Sequence, residues 1–264
     1  MAAAERWAQF LSQIESRHTA LAVEFATGAV TRLVSLGYDS TKVIAEWSVL
    51  QRRLQELEHK ITDTWSDQVE PLFESEGLPA DVTYAACDRG RDVQFTLECK
   101  RESAYHRGCS SMCNVVLERA ASAPARTCPS CRTPLSLGLI GQVFDATCTR
   151  CGATFTYEPG PLLAQVEVLA HSLAWVAAEP LWHVMREVER RAKAARSPAP
   201  LALLKAEEKA TLDYWTAYHV ARQPYSAHGM DVAAETRAKM QFWYTYRAEL
   251  EAEWKAAYPS ARRQ

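Results

Sequence analysis

The chain has 264 residues, of which 48% are hydrophobic and 23% charged, as in an ordinary globular protein. Lys and Arg number 30 and Asp and Glu 32, so a net charge of −2 excludes a global electrostatic attraction to nucleic acid or anionic membranes. The N-terminus lacks a basic stretch followed by an apolar core, and no uncharged apolar run approaches the roughly 18 residues of a membrane span. We therefore expect a cytoplasmic protein without contact to a membrane.

Two amphipathic helices are predicted at the start of the chain. Residues 5–36 carry apolar side chains at alternating steps of four and three, and residues 41–75 repeat this spacing. Between them, Gly37 provides a helix stop and Asp39 an N-cap. Because the connection is short, we expect an antiparallel helical hairpin that forms a first domain over residues 1–79.

Residues 80–160 are predicted to form a β-rich insert. A short helix is expected from Cys109 to about residue 121. Two-residue alternation of apolar and polar side chains predicts strands, of which the first two flank a turn at Asp88–Arg91 and form a β-hairpin. The strands are expected over residues 82–84, 93–97, 142–147 and 153–157.

Cysteine spacing within this insert indicates a metal site. Cys128 and Cys131 form one C-x2-C pair, Cys148 and Cys151 form a second, and residues 132–147 separate the pairs. This arrangement matches the spacing of structural zinc sites. Two tight turns that face each other can present four thiolates to a tetrahedral Zn²⁺, with the intervening segment returning as a hairpin. We therefore predict that these four cysteines bind zinc, and we identify no catalytic residue and no other cofactor site.

The segment 125–158 resembles the zinc-ribbon fold group. The resemblance is carried by the opening Cys128-Pro129-Ser130-Cys131 and by the Cys151-Gly152 close, and it departs at Arg132, where a glycine often follows the first knuckle. Zinc ribbons serve nucleic-acid binding, protein docking and plain stabilisation. The resemblance thus implies a zinc-stabilised hairpin and leaves the function open.

Four further residues could hold a second zinc ion. The run from His106 to Cys109 is itself knuckle-like, although the spacing matches no well-known ligand signature. Buried thiols without a metal are the alternative, since small buried cysteines are common. The candidate ligands are Cys99, His106, Cys109 and Cys113.

The rest of the chain, residues 161–264, is predicted to be helical. The expected helices cover 161–196, with a kink or a break at Pro180, and then 201–222 and 231–257. We expect these helices to form a C-terminal domain that packs on the N-terminal hairpin.

Aromatic and basic side chains on these helices suggest two kinds of surface. Phe242, Trp243, Tyr244 and Tyr246 cover most of a helix circumference, so that some should stay exposed, as at a protein-binding surface. Basic residues interspersed with Glu187 read first as a solvated helix end and second as a phosphate-binding patch. The basic residues are Arg186, Arg190, Arg191, Lys193 and Arg196.

Two Glu-x-x-His pairs raise the hypothesis of a ferritin-like di-iron site. The pairs are Glu15/His18 and Glu56/His59, at similar distances from the turn of the predicted hairpin. However, His18 lies on the apolar stripe and His59 on the opposite side of its helix, and the later helices offer no matching pair. A core-edge His18 and an exposed His59 is the simpler interpretation, and metal binding by Glu15 and His18 stays open.

These patterns predict a mainly α fold, a helical bundle with an inserted small β-rich zinc-ribbon region. The function we favour is a non-catalytic zinc-binding adaptor or assembly component that presents the loop 132–147 to a protein partner. The alternatives are a nucleic-acid-binding accessory protein that uses the ribbon, against which its barely positive charge argues mildly, and a metal-dependent oxidoreductase. The sequence identifies neither the partner nor the oligomeric state.

Overall fold

The computed structural model describes residues 3–122, 126–195, 200–226 and 229–257. Their fold is mainly helical with one small two-stranded antiparallel sheet, which confirms the predicted fold class. The contacts divide the chain into two compact units, residues 1–116 and 117–264. Within the described ranges, no helix has the length and apolar character needed to cross a membrane.

The first unit is built from helices joined by short turns. A π-helical segment, Trp65–Val69, connects α2 directly to α3, and the last residues of α4 extend into the second unit. The helices are α1 (Ala3–Ser35), α2 (Ser40–Thr64), α3 (Glu70–Ser75) and α4 (Ala80–Ala121).

The predicted antiparallel hairpin of α1 and α2 is confirmed. Gly37 ends α1 with a φ of +67°, and the Asp39 carboxylate caps α2 by accepting from the backbone N–H groups of Thr41 and Lys42. The side chains of Arg32 and Glu46 pair near this turn, and those of His18 and Glu58 pair further from it. Moving from the first pair to the second goes 14 residues back along α1 and 12 residues forward along α2, which requires antiparallel helices.

The predicted β-hairpin over 82–84 and 93–97 is wrong, because both segments lie in α4. Gly90, which the sequence suggests as a turn residue, instead allows α4 to approach α1: an added Cβ would lie 2.8 Å from the Trp7 ring. The Trp7 indole N–H also donates to the carbonyl of Ala86 at 2.9 Å. Packing against Trp7 thus stabilises a helix in a segment whose alternation of apolar and polar residues favoured strands.

The second unit contains the sheet and the C-terminal helices. The strands of the predicted ribbon are confirmed, with Phe144 opposite Tyr157 and Thr147 opposite Thr154. The elements are β1 (Phe144–Thr147), β2 (Thr154–Tyr157), α5 (Pro161–Ala164), α6 (Val166–Ala194), α7 (Leu201–Arg222) and α8 (Val232–Ala257).

The helices of the second unit form antiparallel neighbours. His171 contacts Tyr218 between α6 and α7, and His219 lies 3.1 Å from the Thr236 hydroxyl between α7 and α8. The helix α6 continues through Pro180, so of the predicted kink or break the break is wrong, and the kink stays a prediction. Packing of residues 161–264 against the N-terminal hairpin stays a prediction.

Candidate metal centre

The side chains of the four predicted zinc ligands lie close together. The sulfur atoms of Cys128, Cys131, Cys148 and Cys151 all lie within 4.8 Å of one another. The pairs Cys128–Cys151 and Cys131–Cys148 have Sγ–Sγ distances of 3.8 Å. A tetrahedral ion with metal–sulfur bonds of about 2.3 Å separates its sulfurs by about 3.8 Å. Two of the Sγ–Sγ distances thus match a tetrahedral metal site, and the cluster as a whole fits a zinc-ribbon-like centre.

Matching backbone turns place the two cysteine pairs. The N–H of Cys128 donates to the carbonyl of Thr133 at 2.8 Å, and the N–H of Cys148 donates to that of Ala153 at 2.9 Å. In each turn the N–H of the residue after the second cysteine donates to the carbonyl of the first cysteine at 2.9 Å. That residue has a positive φ, +60° at Arg132 and +72° at Gly152. The first knuckle therefore holds an arginine in a conformation that favours glycine.

The polar environment of two cysteines favours the thiolate form that a metal requires. Hydrogen bonds from the side chain and then the backbone of Thr133 lower the pKa of Cys131 to about 6. Backbone N–H groups of Cys151 and Arg150 lower the pKa of Cys148. Metal binding needs deprotonated sulfur, which these bonds favour at Cys131 and Cys148. At Cys151 the backbone of Ala153 lowers the pKa, but hydrogen bonds with the neighbouring thiols and burial raise it to about 11.

The loop between the two cysteine pairs contacts the N-terminal turn of α6. This loop does not return as the predicted hairpin, because the hairpin of β1 and β2 encloses the second cysteine pair instead. At Gly141 an added Cβ would lie 2.6 Å from the carbonyl oxygen of Leu163 and 2.7 Å from the backbone nitrogen of Glu167. The amide of Gln142 donates to Glu167 Oε1 at 2.9 Å, and Arg222 of α7 donates to the carbonyl of Glu167 at the same distance. The ribbon is thereby joined to two helices of its own unit.

An open groove within the second unit is lined in part by the loop between the two cysteine pairs. Its volume is about 430 Å³. Among the described residues that line it, Arg126 alone carries a charge. We call it the leucine groove and define it by its large apolar side chains, which are Leu135, Leu137, Leu139, Tyr157, Leu162 and Leu163.

The sequence predicted the loop 132–147 as a docking segment but did not predict the leucine groove. Leu135, Leu137 and Leu139 alternate with small residues, a pattern that places the three leucines on one side of an extended segment. This alternation was the available signal. The partner wall, from Gly160 to Leu163, is brought there only by the tertiary fold.

The second proposed zinc set is not brought together. Cys99, His106, Cys109 and Cys113 all lie on the single helix α4 and are buried. The 14 positions from first to last span about 21 Å at 1.5 Å per residue, too far for ligands of one ion. Within the described ranges, the four ribbon cysteines are the one cluster with metal-ligand spacing.

The two Glu-x-x-His pairs do not meet either. Glu15 pairs with Lys100 at 2.9 Å, whereas Glu56 and His59 lie on the exposed face of α2. His18 is fully buried, with its Nε2 atom 3.0 Å from a carboxylate oxygen of Glu58. The simpler interpretation of these histidines is thus confirmed.

Glu58 anchors a buried ion cluster that sequence reasoning missed. Its Oε1 atom also accepts from Arg101 Nε at 2.8 Å, and its side chain is only 3% exposed. The available signal was position, because Glu58 lies one turn after Leu54 and three residues before Ile61 on the apolar stripe. The cluster joins α1, α2 and α4 around a carboxylate without the geometry of a metal site.

The aromatic side chains of the C-terminal helices are partly exposed and partly buried. Phe242 is 74% exposed and Tyr244 is also exposed, as predicted, while Tyr214 and Tyr218 are buried. The side chain of Trp254, and Tyr258, lie outside what the structure describes.

Ion pairs along α6 neutralise much of its basic group. Arg186 and Lys193 pair with Glu189, and Arg190 pairs with Glu187. The basic residue Arg196 lies outside the described residues. The described part of the group, four basic residues against two glutamates, is therefore a partly neutralised helix end, which agrees with the first of the two predictions better than with a phosphate-binding patch.

No protein-family model, no curated protein and no solved structure matches the chain. The site therefore has to be interpreted from its own geometry.

Proposed function

We propose that this chain is a zinc-binding adaptor or assembly component, in which the segment 125–158 is a zinc ribbon with a non-catalytic docking role. The single observation that carries this proposal is the cluster of four thiols, all within 4.8 Å of one another, together with an open apolar groove lined in part by the loop between the two cysteine pairs. The metal shapes the ribbon, and the ribbon presents the leucine groove to a protein partner.

Zinc is favoured by the chemistry of the ligand set. Four sulfur donors in a tetrahedral arrangement suit Zn²⁺, and two C-x2-C turns are its common structural carrier. A site with four protein ligands has no open position for substrate or water, which is typical of structural rather than catalytic zinc. The role of Cys128, Cys131, Cys148 and Cys151 is accordingly to hold the ribbon together.

A docking role is supported by how little core the ribbon has. Leu135, Leu137 and Leu139 are only half-buried, and Val143 of the same loop is exposed. Incomplete burial alone is ordinary in so small a unit, but three leucines that line one groove form a continuous apolar patch. Partial exposure along one open groove suits a surface that a partner covers.

The nucleic-acid alternative is less well supported by charge. The ribbon carries Arg126, Arg132 and Arg150 against Asp145 and Glu158. Zinc bound to four thiolates adds two net negative charges, which makes the ribbon negative overall. Phosphate binding normally relies on a positive surface.

The test is affinity capture with tagged full-length protein at low and high salt. Wild type is compared with Cys148→Ser, with the groove variant Leu137→Asp and with Val143→Asp, a matched control because Val143 is 61% exposed on the same loop outside the groove. We expect a protein partner that survives high salt and is lost with Cys148→Ser and Leu137→Asp only.

Two outcomes would overturn this function. Nucleic acid captured at low salt and released at high salt would favour a nucleic-acid-binding accessory protein, because phosphate contacts weaken steeply with ionic strength. Stoichiometric iron in the purified protein that disappears in His18→Ala would favour the oxidoreductase. Partner capture lost in Phe242→Ala but kept in Leu137→Asp would move the docking surface from the ribbon to α8.

A further inference from the structure

The leucine groove contains one charge in an otherwise apolar lining. Arg126 lines it together with leucine, tyrosine, proline, glycine and alanine residues. A single guanidinium among apolar side chains selects a ligand that is apolar with one negative group, since an unpaired charge at a covered interface is unfavourable.

The Arg126 side chain is held in place at the wall of the groove. Its Cζ atom lies 4.8 Å from the centre of the Tyr157 ring, a cation–π contact. One terminal nitrogen donates to the carbonyl of Glu158, and the other lies beside Gly160, where an added Cβ would be 3.5 Å away. A guanidinium fixed in this way loses less conformational entropy when it binds an anion than a mobile side chain would.

A second groove adjoins the first and shares its wall. It has a volume of about 370 Å³ and shares Arg126, Leu135, Leu137 and Tyr157 with the first. It is also lined by an acidic residue, Glu158, so the carboxylate of a ligand is expected on the leucine-groove side of Arg126. Leu135 and Leu137 thus stand between two grooves, with Arg126 reaching both. A surface that continues over this ridge is better matched to a length of polypeptide than to a compact small molecule.

We infer that the leucine groove binds a short segment of a protein partner in which an Asp or Glu carboxylate, or the C-terminal carboxylate, is flanked by apolar side chains. This inference rests on the docking function proposed above and specifies the partner's chemistry. The carboxylate pairs with Arg126, and the apolar side chains cover Leu135, Leu137 and Leu139.

The experiment selects binders from a displayed library of random short peptides on zinc-loaded full-length protein. We expect the selected peptides to share an acidic residue or a free C-terminus next to apolar residues. The affinity of one such peptide is then measured by fluorescence anisotropy for wild type and variants, each checked for zinc content and helical circular dichroism.

Matched variants separate the groove from the rest of the ribbon. Arg126→Gln should weaken the peptide about tenfold or more, as expected when a charge-assisted hydrogen bond is lost. Arg150→Gln is its control, because Arg150 is an exposed ribbon arginine that does not line the groove. Leu137→Ser should also weaken binding, whereas Val143→Ser should not. Arg126→Glu should bind a peptide whose acid is replaced by Lys better than it binds the original.

Several results would overturn the inference. These are selected peptides without a shared carboxylate, no enrichment of peptides, equal losses for Arg126→Gln and Arg150→Gln, and failure of the charge swap. Groove binding of a long-chain fatty acid with no peptide enriched would point to a small-molecule site and overturn it as well. A partner captured in a zinc- and Leu137-dependent manner would leave the docking function intact in each of these cases, so the two failures are distinguishable.

Discussion

Gln142 donates a hydrogen bond to Glu167 Oε1 at 2.9 Å and so ties the ribbon loop to the first turn of α6. Arg222 reaches the same glutamate from α7. The ribbon loop thus contacts α6 at Glu167, and the same glutamate links α6 to α7. Changes in the ribbon should reach this turn of α6 before they reach other helices of the second unit.

Zinc content tests the metal centre directly. Purified wild type should contain about one equivalent of zinc, because Cys99, Cys109 and Cys113 are spread along α4. Cys148→Ser should lose it, since three remaining thiolates bind Zn²⁺ far more weakly. Cys113→Ser, which removes a buried thiol outside the cluster, is the control and should retain it. Unchanged zinc in Cys148→Ser by elemental analysis would contradict the site.

The two positive φ angles predict opposite effects on zinc affinity. Arg132→Gly should relieve an unfavourable left-handed conformation and tighten binding, whereas Gly152→Ala should create one and weaken it. About 1 kcal/mol in either direction corresponds to about a fivefold change in a competition assay with a chelator. Gly138→Ala is the control, because that glycine has no positive φ and an added Cβ would make only ordinary contacts at 3.5 Å. Equal changes in all three variants would refute the role of backbone conformation.

The contact at Gly141 predicts a local loosening of the ribbon. In Gly141→Ala the new methyl group would collide with backbone atoms of Leu163 and Glu167, which cannot move as a side-chain end can. Amide hydrogen exchange over residues 138–142 and at the start of α6 should become faster, while the zinc content stays the same. The control is again Gly138→Ala. Normal exchange in Gly141→Ala would mean that the ribbon loop does not depend on this close approach.

The buried cluster in the first unit predicts a large difference between two neighbouring glutamates. Glu58→Ala leaves Arg101 and His18 without their shared carboxylate and should cost about 3–5 kcal/mol of unfolding free energy. Glu56→Ala, on the exposed face of the same helix, should cost less than about 0.5 kcal/mol. Urea denaturation followed by circular dichroism measures both. Similar losses for the two variants would rule out the cluster as a source of stability.

Burial of His219 predicts a dependence of stability on pH. Burial holds the pKa of His219 below its ordinary value, with Glu235 opposing and Lys239 adding to this shift. The unfolded chain therefore takes up a proton first as the pH falls below about 6.5, which favours unfolding. The stability of the second unit should decrease from pH 7 to pH 5 and show no such change above pH 7.5.

Matched histidine variants assign this pH dependence. His219→Gln should reduce it, and so should His171→Gln, because burial also lowers the pKa of His171. Denaturation midpoints across the pH range supply the measurement. An unchanged slope in His219→Gln would exclude His219 as its source.

The sequence by itself determined the features that depend on spacing along the chain. Apolar residues at steps of three and four are enough to define α1 and α2, because a regular helix places them on one stripe that must be buried. The cysteine spacing likewise identified four thiols that the structure brings within 4.8 Å of one another. Both are local rules, and they do not require knowledge of what the segment packs against.

Only the tertiary structure decided where local preference was weak or where two distant segments had to meet. Around Gly90 the sequence suits a turn or a helix, and contact with Trp7 selects the helix. Glu58 is a poor core residue on its own, but His18 and Arg101 satisfy its charge there. The leucine groove needs Leu137 and Leu163, 26 positions apart, to line the same surface. Such features depend on free energies of contact that no single stretch of sequence contains.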